Sequence, residues 1–359
     1  MLVHSERAAL PPSSRTTLAL LALLSLAVGR ARAQERADSE GPRAAPLFDA
    51  NEPLDLRLTA DFGAIGRERG TTKHDYPGVL TYASPAGDSV SLNVQLHTRG
   101  HFRLRTCQYV PLKVDFPKDQ TAHTLFARQK SLKLVVQCRG GQGYANYLLE
   151  EYLLYRAYNL LTDLSFRVRL ARVTYVDPGK KDAPETRYAF FMEDDDRMAR
   201  RNRGEVFAQQ GVVQEQTEVA QMGLLAVFQY MIGNTDWSVA GLHNIVLVRD
   251  SGRVVYPVPY DLDWSGVIST PYAQPDSRLG ITTVRERLYR SGCRTASDFA
   301  PIFAKFNAQK DAIYGLYRAQ PWLEAKRVKQ SLDYYDEFYR IINDAGATRR
   351  AMMTLCPGH

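Results

Sequence analysis

Three observations predict an α+β protein in two parts. Between residues 54 and 137, short alternating apolar segments recur between turn residues, the signature of antiparallel strands. Beyond residue 285 the apolar positions recur at helical spacing to the end of the chain. The composition, 45% hydrophobic and 24% charged over 359 residues, is that of a folded globular chain and excludes disordered, collagen-like and coiled-coil classes. The expected arrangement is a β-rich first lobe over residues 53–192, with one main helix, and a mostly helical second lobe over residues 193–359.

The first 33 residues read as a secretory leader. Arg7 and Arg15 precede an apolar run at 18–28, and Ala31-Arg32-Ala33 supplies small residues for cleavage after Ala33. The run is too short for an uncleaved anchor crossing roughly 30 Å of hydrocarbon, and no later segment is apolar for long enough, so no transmembrane segment is expected after cleavage. Residues 34–52, rich in Ala, Pro, Glu and Arg, read as a flexible tether. The formal charge of +7 includes Arg7, Arg15, Arg30 and Arg32 of the leader. What remains is close to neutral and dispersed, which argues against a nucleic-acid partner.

Four cysteines in an exported chain suggest disulfides, and the spacing favours Cys107 with Cys138 and Cys293 with Cys356 over crossed pairings. Zinc binding has little support. There is no Cys-x-x-Cys, and His97 and His101 straddle a glycine turn.

Strands are expected at 79–82, 90–96, 112–116 and 132–136. Leu149, Leu153, Ala157 and Leu160 then set a helical stripe over 147–161, followed by strands at 168–176 and 187–192 around a turn at Pro178. A second helix spans 218–232 and ends at Gly233-Asn234. A hairpin of strands 244–248 and 254–258 turns at Asp250-Ser251-Gly252.

Chemistry concentrates between Met231 and Gly266. Asp236 follows a helix, His243 and Asn244 stand at the mouth of the hairpin, and Asp261 and Asp263 lie just past its second strand. A hairpin brings its two ends together, so Asn244 and Asp261 should be neighbours, with Asp236 close by. Taken singly, these residues read as caps, turn formers or partners of surface arginines. Together they offer two hard oxygen ligands and one unligated carboxylate, the set that magnesium-assisted phosphoryl transfer requires.

This stretch resembles the active-site segment of the CotH family of atypical, protein-kinase-like enzymes, and more distantly HipA-type kinases. The resemblance extends upstream through 97–116, with its Arg-Gly turn and Lys-bearing strand, 130–138 with a second Lys strand, and the helix at 148–161. It implies a bilobal protein-kinase-like fold, ATP with Mg2+ or Mn2+, and a hydroxyl acceptor such as a protein. It implies Asp236 as catalytic base, Asn244 and Asp261 as metal ligands, and a nucleotide-binding lysine held by Glu151. Lys133, on the strand preceding the helix, is preferred over Lys113 for that role. Arg99, His243 and Asp263 are further candidates.

Other motifs have plainer readings. Gly140-Gly141-Gln142-Gly143 reads as a flexible turn, and Asp61-Phe62-Gly63 lies N-terminal to every other candidate. The acidic run 193–196 before Arg197, Arg200 and Arg201 reads as a solvated helix start. His243 has no Ser or Cys nucleophile beside it in sequence, which leaves hydrolase triads unsupported. The expected protein is an exported kinase, periplasmic, surface-held or extracellular. The alternative is a secreted pseudokinase or binding scaffold without turnover.

Overall fold

The structure, a computed structural model, describes residues 46–354 apart from 71, 72 and 182. The leader at 1–33, most of the tether at 34–52, and Cys356 lie outside the described residues.

Seven strands form a closed barrel: β1 (Leu54–Ala60), β2 (Tyr76–Ala83), β3 (Ser89–Thr98), β4 (Leu112–Asp115), β5 (Ser131–Val136), β6 (Val168–Val176) and β7 (Glu185–Met192). Their order is β1-β2-β3-β4-β5-β7-β6. Neighbours run antiparallel except at the closure, where β6 pairs parallel with β1 and Leu58 lies opposite Tyr175. Alternation decides which residues enter the barrel. Leu54, Leu56, Leu58 and Ala60 point inward while Asp55 and Arg57 face water. Phe126, from the turn before β5, fills the interior against Phe116, Tyr82 and Phe191, with ring centroids 4.8, 5.5 and 5.5 Å away.

Among the described residues the barrel segment carries four α-helices: α1 (Phe62–Arg67), α2 (Phe102–Thr106), α3 (Lys118–Thr121) and α4 (Gln142–Leu161). Then follow α5 (Asp195–Arg201), β8 (Gly204–Val206), α6 (Val219–Ile232), the hairpin β9 (Ile245–Asp250) and β10 (Val255–Pro259), α7 (Ala296–Arg318), α8 (Ala325–Ile342) and α9 (Ala345–Met352). β10, β9 and β8 form a separate three-stranded sheet.

This architecture corrects the bilobal protein-kinase-like expectation. The first half is a closed mixed barrel with several helices, not an open antiparallel sheet with one. Both faces of β6 and β7 are apolar. Ala171, Val173, Ala189 and Phe191 fill the barrel, whereas Val168, Leu170, Phe190 and Met192 join a second core. That second core runs unbroken from α4 through α6 and the hairpin to Met353, so it does not divide at residue 192. Alternation reports which strand face is apolar. It does not report which strand lies alongside, and the parallel closure was invisible for that reason.

Gly233 ends α6 in the left-handed region at φ 68°, as the sequence predicts. Its carbonyl accepts from Gly266 N–H at 3.0 Å, and Ile232 O accepts from Val267 N–H at 3.1 Å. These bonds join the end of α6 to the segment that follows the hairpin. Gly266 has no room for a side chain: a Cβ there would stand 2.3 Å from Val284 O and 2.6 Å from Tyr334 Oη. Gly266→Ala is expected to destabilise the fold by about 1–3 kcal/mol. Urea unfolding measures it. Adding Tyr334→Phe should restore little, because the Val284 carbonyl remains in the way.

Candidate functional site

The two backbone bonds at Gly266 bring the loop after α6 beside the exit of β10. The first loop is rigidly held. Asn234 Oδ1 accepts from Asp236 N–H at 2.9 Å, Trp237 Nε1 donates to Asn234 O at 3.2 Å, and Arg290 donates to the carbonyls of Thr235 and Trp237. Ser238 and His243 pair through two backbone bonds of 2.9 and 3.0 Å, folding the intervening residues into a tight turn. That turn returns His243 and Asn244 to Asp236. His243 Nε2 lies 2.8 Å from Asp236 Oδ1, and Asn244 Nδ2 donates to Asp236 O at 2.8 Å and Oδ2 at 3.0 Å. The bond to Asp236 raises the pKa of His243, against a smaller effect of burial.

Tyr260 N–H donates to Asn244 O at 3.0 Å across the open end of the hairpin, which sets Asp261 next to Asn244. Both residues have left-handed backbones, with φ 54° at Asn244 and 55° at Asp261. Asp261 N–H is bound by Tyr155 Oη at 2.8 Å, on α4. Among the described residues the Asp261 carboxylate has no hydrogen bond or ion pair, and the Asn244 side-chain oxygen is likewise unengaged.

One turn before Tyr155 on α4 stands Glu151, 2% exposed. Its cation is Arg103 of α2, whose Nη1 lies 3.7 Å from Glu151 Oε2 and 3.8 Å from Asp263 Oδ2. Arg103 also donates to Val136 O at the end of β5, while its buried Nε has no partner among the described residues. A disulfide between Cys107 and Cys138 fastens α2 to the chain just beyond β5. Tyr272 Oη donates to Asp263 Oδ2 at 2.9 Å. Burial first, then the Asp261 charge, pushes the Asp263 carboxyl up to about 6. Burial and then Asp263 hold Glu151 well above the ordinary carboxylate range.

The structure therefore brings together Asp236, His243, Asn244, Asp261, Asp263 and Glu151. Arg99, half-buried after β3, acts on Glu151 and Tyr155 electrostatically, and its Nε has no partner among the described residues. The two lysines stand elsewhere. Lys133 pairs with Asp195 at 2.7 Å and lies over the Tyr260 and Phe166 rings at 5.0 and 5.7 Å, so it is not the partner of Glu151. Lys113 is exposed directly across from Lys133 in the β4–β5 register. On a strand, side chains alternate faces, and both lysines occupy the outer face of the barrel. Sequence reasoning missed Arg103 as the cation of Glu151. The available signal was its place one helical turn before Cys107, which the disulfide ties to the strand leading into α4.

Among the described residues no group of three or more His, Cys, Asp or Glu is arranged to hold a metal. The donor set fits a divalent cation that keeps most of its shell on phosphate oxygens and water: one amide oxygen at Asn244 and one free carboxylate at Asp261. The Cys107–Cys138 disulfide is compatible with export to an oxidising compartment. No helix among the described residues is long and apolar enough to cross a membrane. No family model, curated protein or solved structure matches the chain.

The raised Asp263 pKa has a measurable sign. The folded state holds this proton more tightly than the unfolded chain, so the stability it contributes is full below about pH 4 and lost as pH rises through about 6. Asp263→Asn removes that dependence. Unfolding free energies of variant and wild type between pH 4 and 7 should shift in favour of the variant by about 1–3 kcal/mol. A pH-independent difference would contradict the assignment.

Proposed function

We propose that the chain is an exported phosphotransferase, periplasmic, surface-held or extracellular, related to the CotH kinases. It transfers the γ-phosphoryl group of ATP, bound with Mg2+ or Mn2+, to a hydroxyl acceptor such as a protein side chain. The observation that carries the reading is the junction of Asp236, Asn244 and Asp261 at the open end of the hairpin, with one carboxylate and one amide oxygen left free. When bound, the divalent cation neutralises charge on the transferring phosphates.

The chain's own residues divide the remaining work. Asp236 accepts the acceptor's hydroxyl proton. His243 and Asn244 fix its orientation while each carboxylate oxygen retains a lone pair. Asn244 and Asp261 hold the cation. Arg103 replaces Lys133 as the phosphate-contacting cation, aligned by Glu151. A planar, permanently charged guanidinium suits this buried place better than an ammonium would. The alternative, a pseudokinase or binding scaffold, draws support from Lys133, whose charge is already taken up by Asp195.

Titration with ATP and Mg2+ or Mn2+ should raise the melting temperature, corresponding to about 2.7 kcal/mol at a hundred times the dissociation constant. The shift should vanish in Asp261→Ala, weaken strongly in Arg103→Met, be partly restored in Arg103→Lys, and persist in Lys133→Met. Transfer of labelled γ-phosphate to the chain itself or to a test protein should fall at least a hundredfold in Asp236→Asn with nucleotide binding retained. A metal-dependent shift without transfer favours the scaffold. No shift with either metal removes the kinase reading.

A further inference from the structure

A cavity of about 600 Å3 opens at the barrel end where β1, β5 and β6 finish and β7 begins. Its size is that of a small-molecule site. Its floor is apolar, made by Ile65 of α1 and by Val110, Leu112, Val136 and Val176. At one wall the Arg187 guanidinium is stacked between two aromatic rings, 3.6 Å from the Tyr109 centroid and 4.2 Å from that of Tyr175.

Three cations, Arg67, Lys180 and Arg187, and two carboxylates, Asp177 and Glu185, line the opening, which leaves one positive charge in excess. Arg187 is paired with Glu185, which also accepts from Tyr109 Oη at 3.2 Å. Asp177 accepts from Gly63 N–H at 2.8 Å and Gly179 N–H at 3.0 Å and keeps its negative charge. The remaining lining charges are Arg67 and Lys180, both exposed, and neither has an ion pair or side-chain acceptor among the described residues apart from this opening. An apolar floor under a rim with one positive charge in excess is complementary to a molecule with an apolar body and one anionic end.

We propose that this barrel mouth binds an amphipathic carboxylate, such as a medium-chain fatty acid or an aryl-alkanoate. The body lies over Ile65, Leu112 and Val136, and the carboxylate meets Arg67 and Lys180. This site is separate from the Asp236 junction, and its test needs no phosphotransfer. Val136 belongs to both regions, since its side chain lines the cavity and its carbonyl accepts from Arg103.

The experiment is calorimetric titration of the full chain with decanoate and 4-phenylbutyrate, against decanamide and 4-phenylbutanamide as uncharged counterparts. The carboxylates should bind, with the amides roughly tenfold weaker. Arg67→Gln with Lys180→Gln should bring the carboxylates down to the amide level. Gly66→Phe should abolish binding of all four. A Cβ at Gly66 meets nothing within 4 Å, and replacing a helical glycine favours the helix, so this variant is expected to fold. Ala183→Trp, on the opposite lip, is the second blocking variant. Absence of binding, equal affinity for acid and amide, or binding undiminished in both blocking variants would each overturn the proposal.

Discussion

The arrangement depends on one constraint, the burial of Asn146, Glu150, Glu151, Tyr155 and Tyr158 on α4. Each of these polar side chains must find a protein partner, because none is available from solvent. Glu150 is bound by Ser331 Oγ at 2.8 Å and by Arg327, both on α8. Glu151 takes Arg103 of α2, Tyr155 Oη takes the Asp261 N–H, and Tyr158 Oη accepts from Gln221 of α6 at 3.0 Å. Asn146 reaches Glu324, which caps α8, at 2.7 Å. Satisfying one helix therefore fixes the positions of α2, α6, α8 and the loop after β10. The candidate site lies where those obligations meet.

Much of this was legible in the chain, for local reasons. Six of the seven barrel strands followed from alternation, β1 and the short β8 having no strand assigned to them, and the C-cap of α6 and the hairpin followed from turn chemistry. The meeting of Asp236, Asn244 and Asp261 required only that a hairpin brings its ends together. What stayed hidden was long-range. The stripe Leu149, Leu153, Ala157 and Leu160 suggests a helix with one apolar face, and the partner expected for Glu151 is a lysine. The burial of Glu150 and Glu151 depends on Arg327 and Arg103, which are distant in sequence or on a different element. The choice of cation failed similarly. Lys133 precedes α4 directly, but strand alternation turns it to the outer face toward Asp195.

The electrostatics of the site follow from the same burial. Glu151, Asp263 and Asp261 face the buried guanidinium of Arg103, so the cluster carries more negative than positive groups. Burial raises the pKa of Glu151 and Asp263 because the protein cannot solvate so many like charges. A site in that condition takes up positive charge readily, as a proton or as a cation. The free carboxylate of Asp261 is the one place among these groups where a cation would not have to displace an existing protein partner.

Left-handed backbones occur at seven non-glycine residues among those described, two of them in the candidate site. A left-handed conformation costs about 1–2 kcal/mol for a residue with a side chain, least for Asn and Asp. Asn244 and Asp261 both adopt it, one at each open end of a hairpin whose strands are regular. If the fold alone were at stake, glycine at position 261 would relieve the strain without loss, because neither side-chain oxygen of Asp261 has a partner among the described residues. Asn244 does support Asp236 through its amide nitrogen, which accounts for half of the pattern. The Asp261 carboxylate has no such structural use, and a strained, acidic, unpartnered residue held by a buried tyrosine is best accounted for by something that binds there.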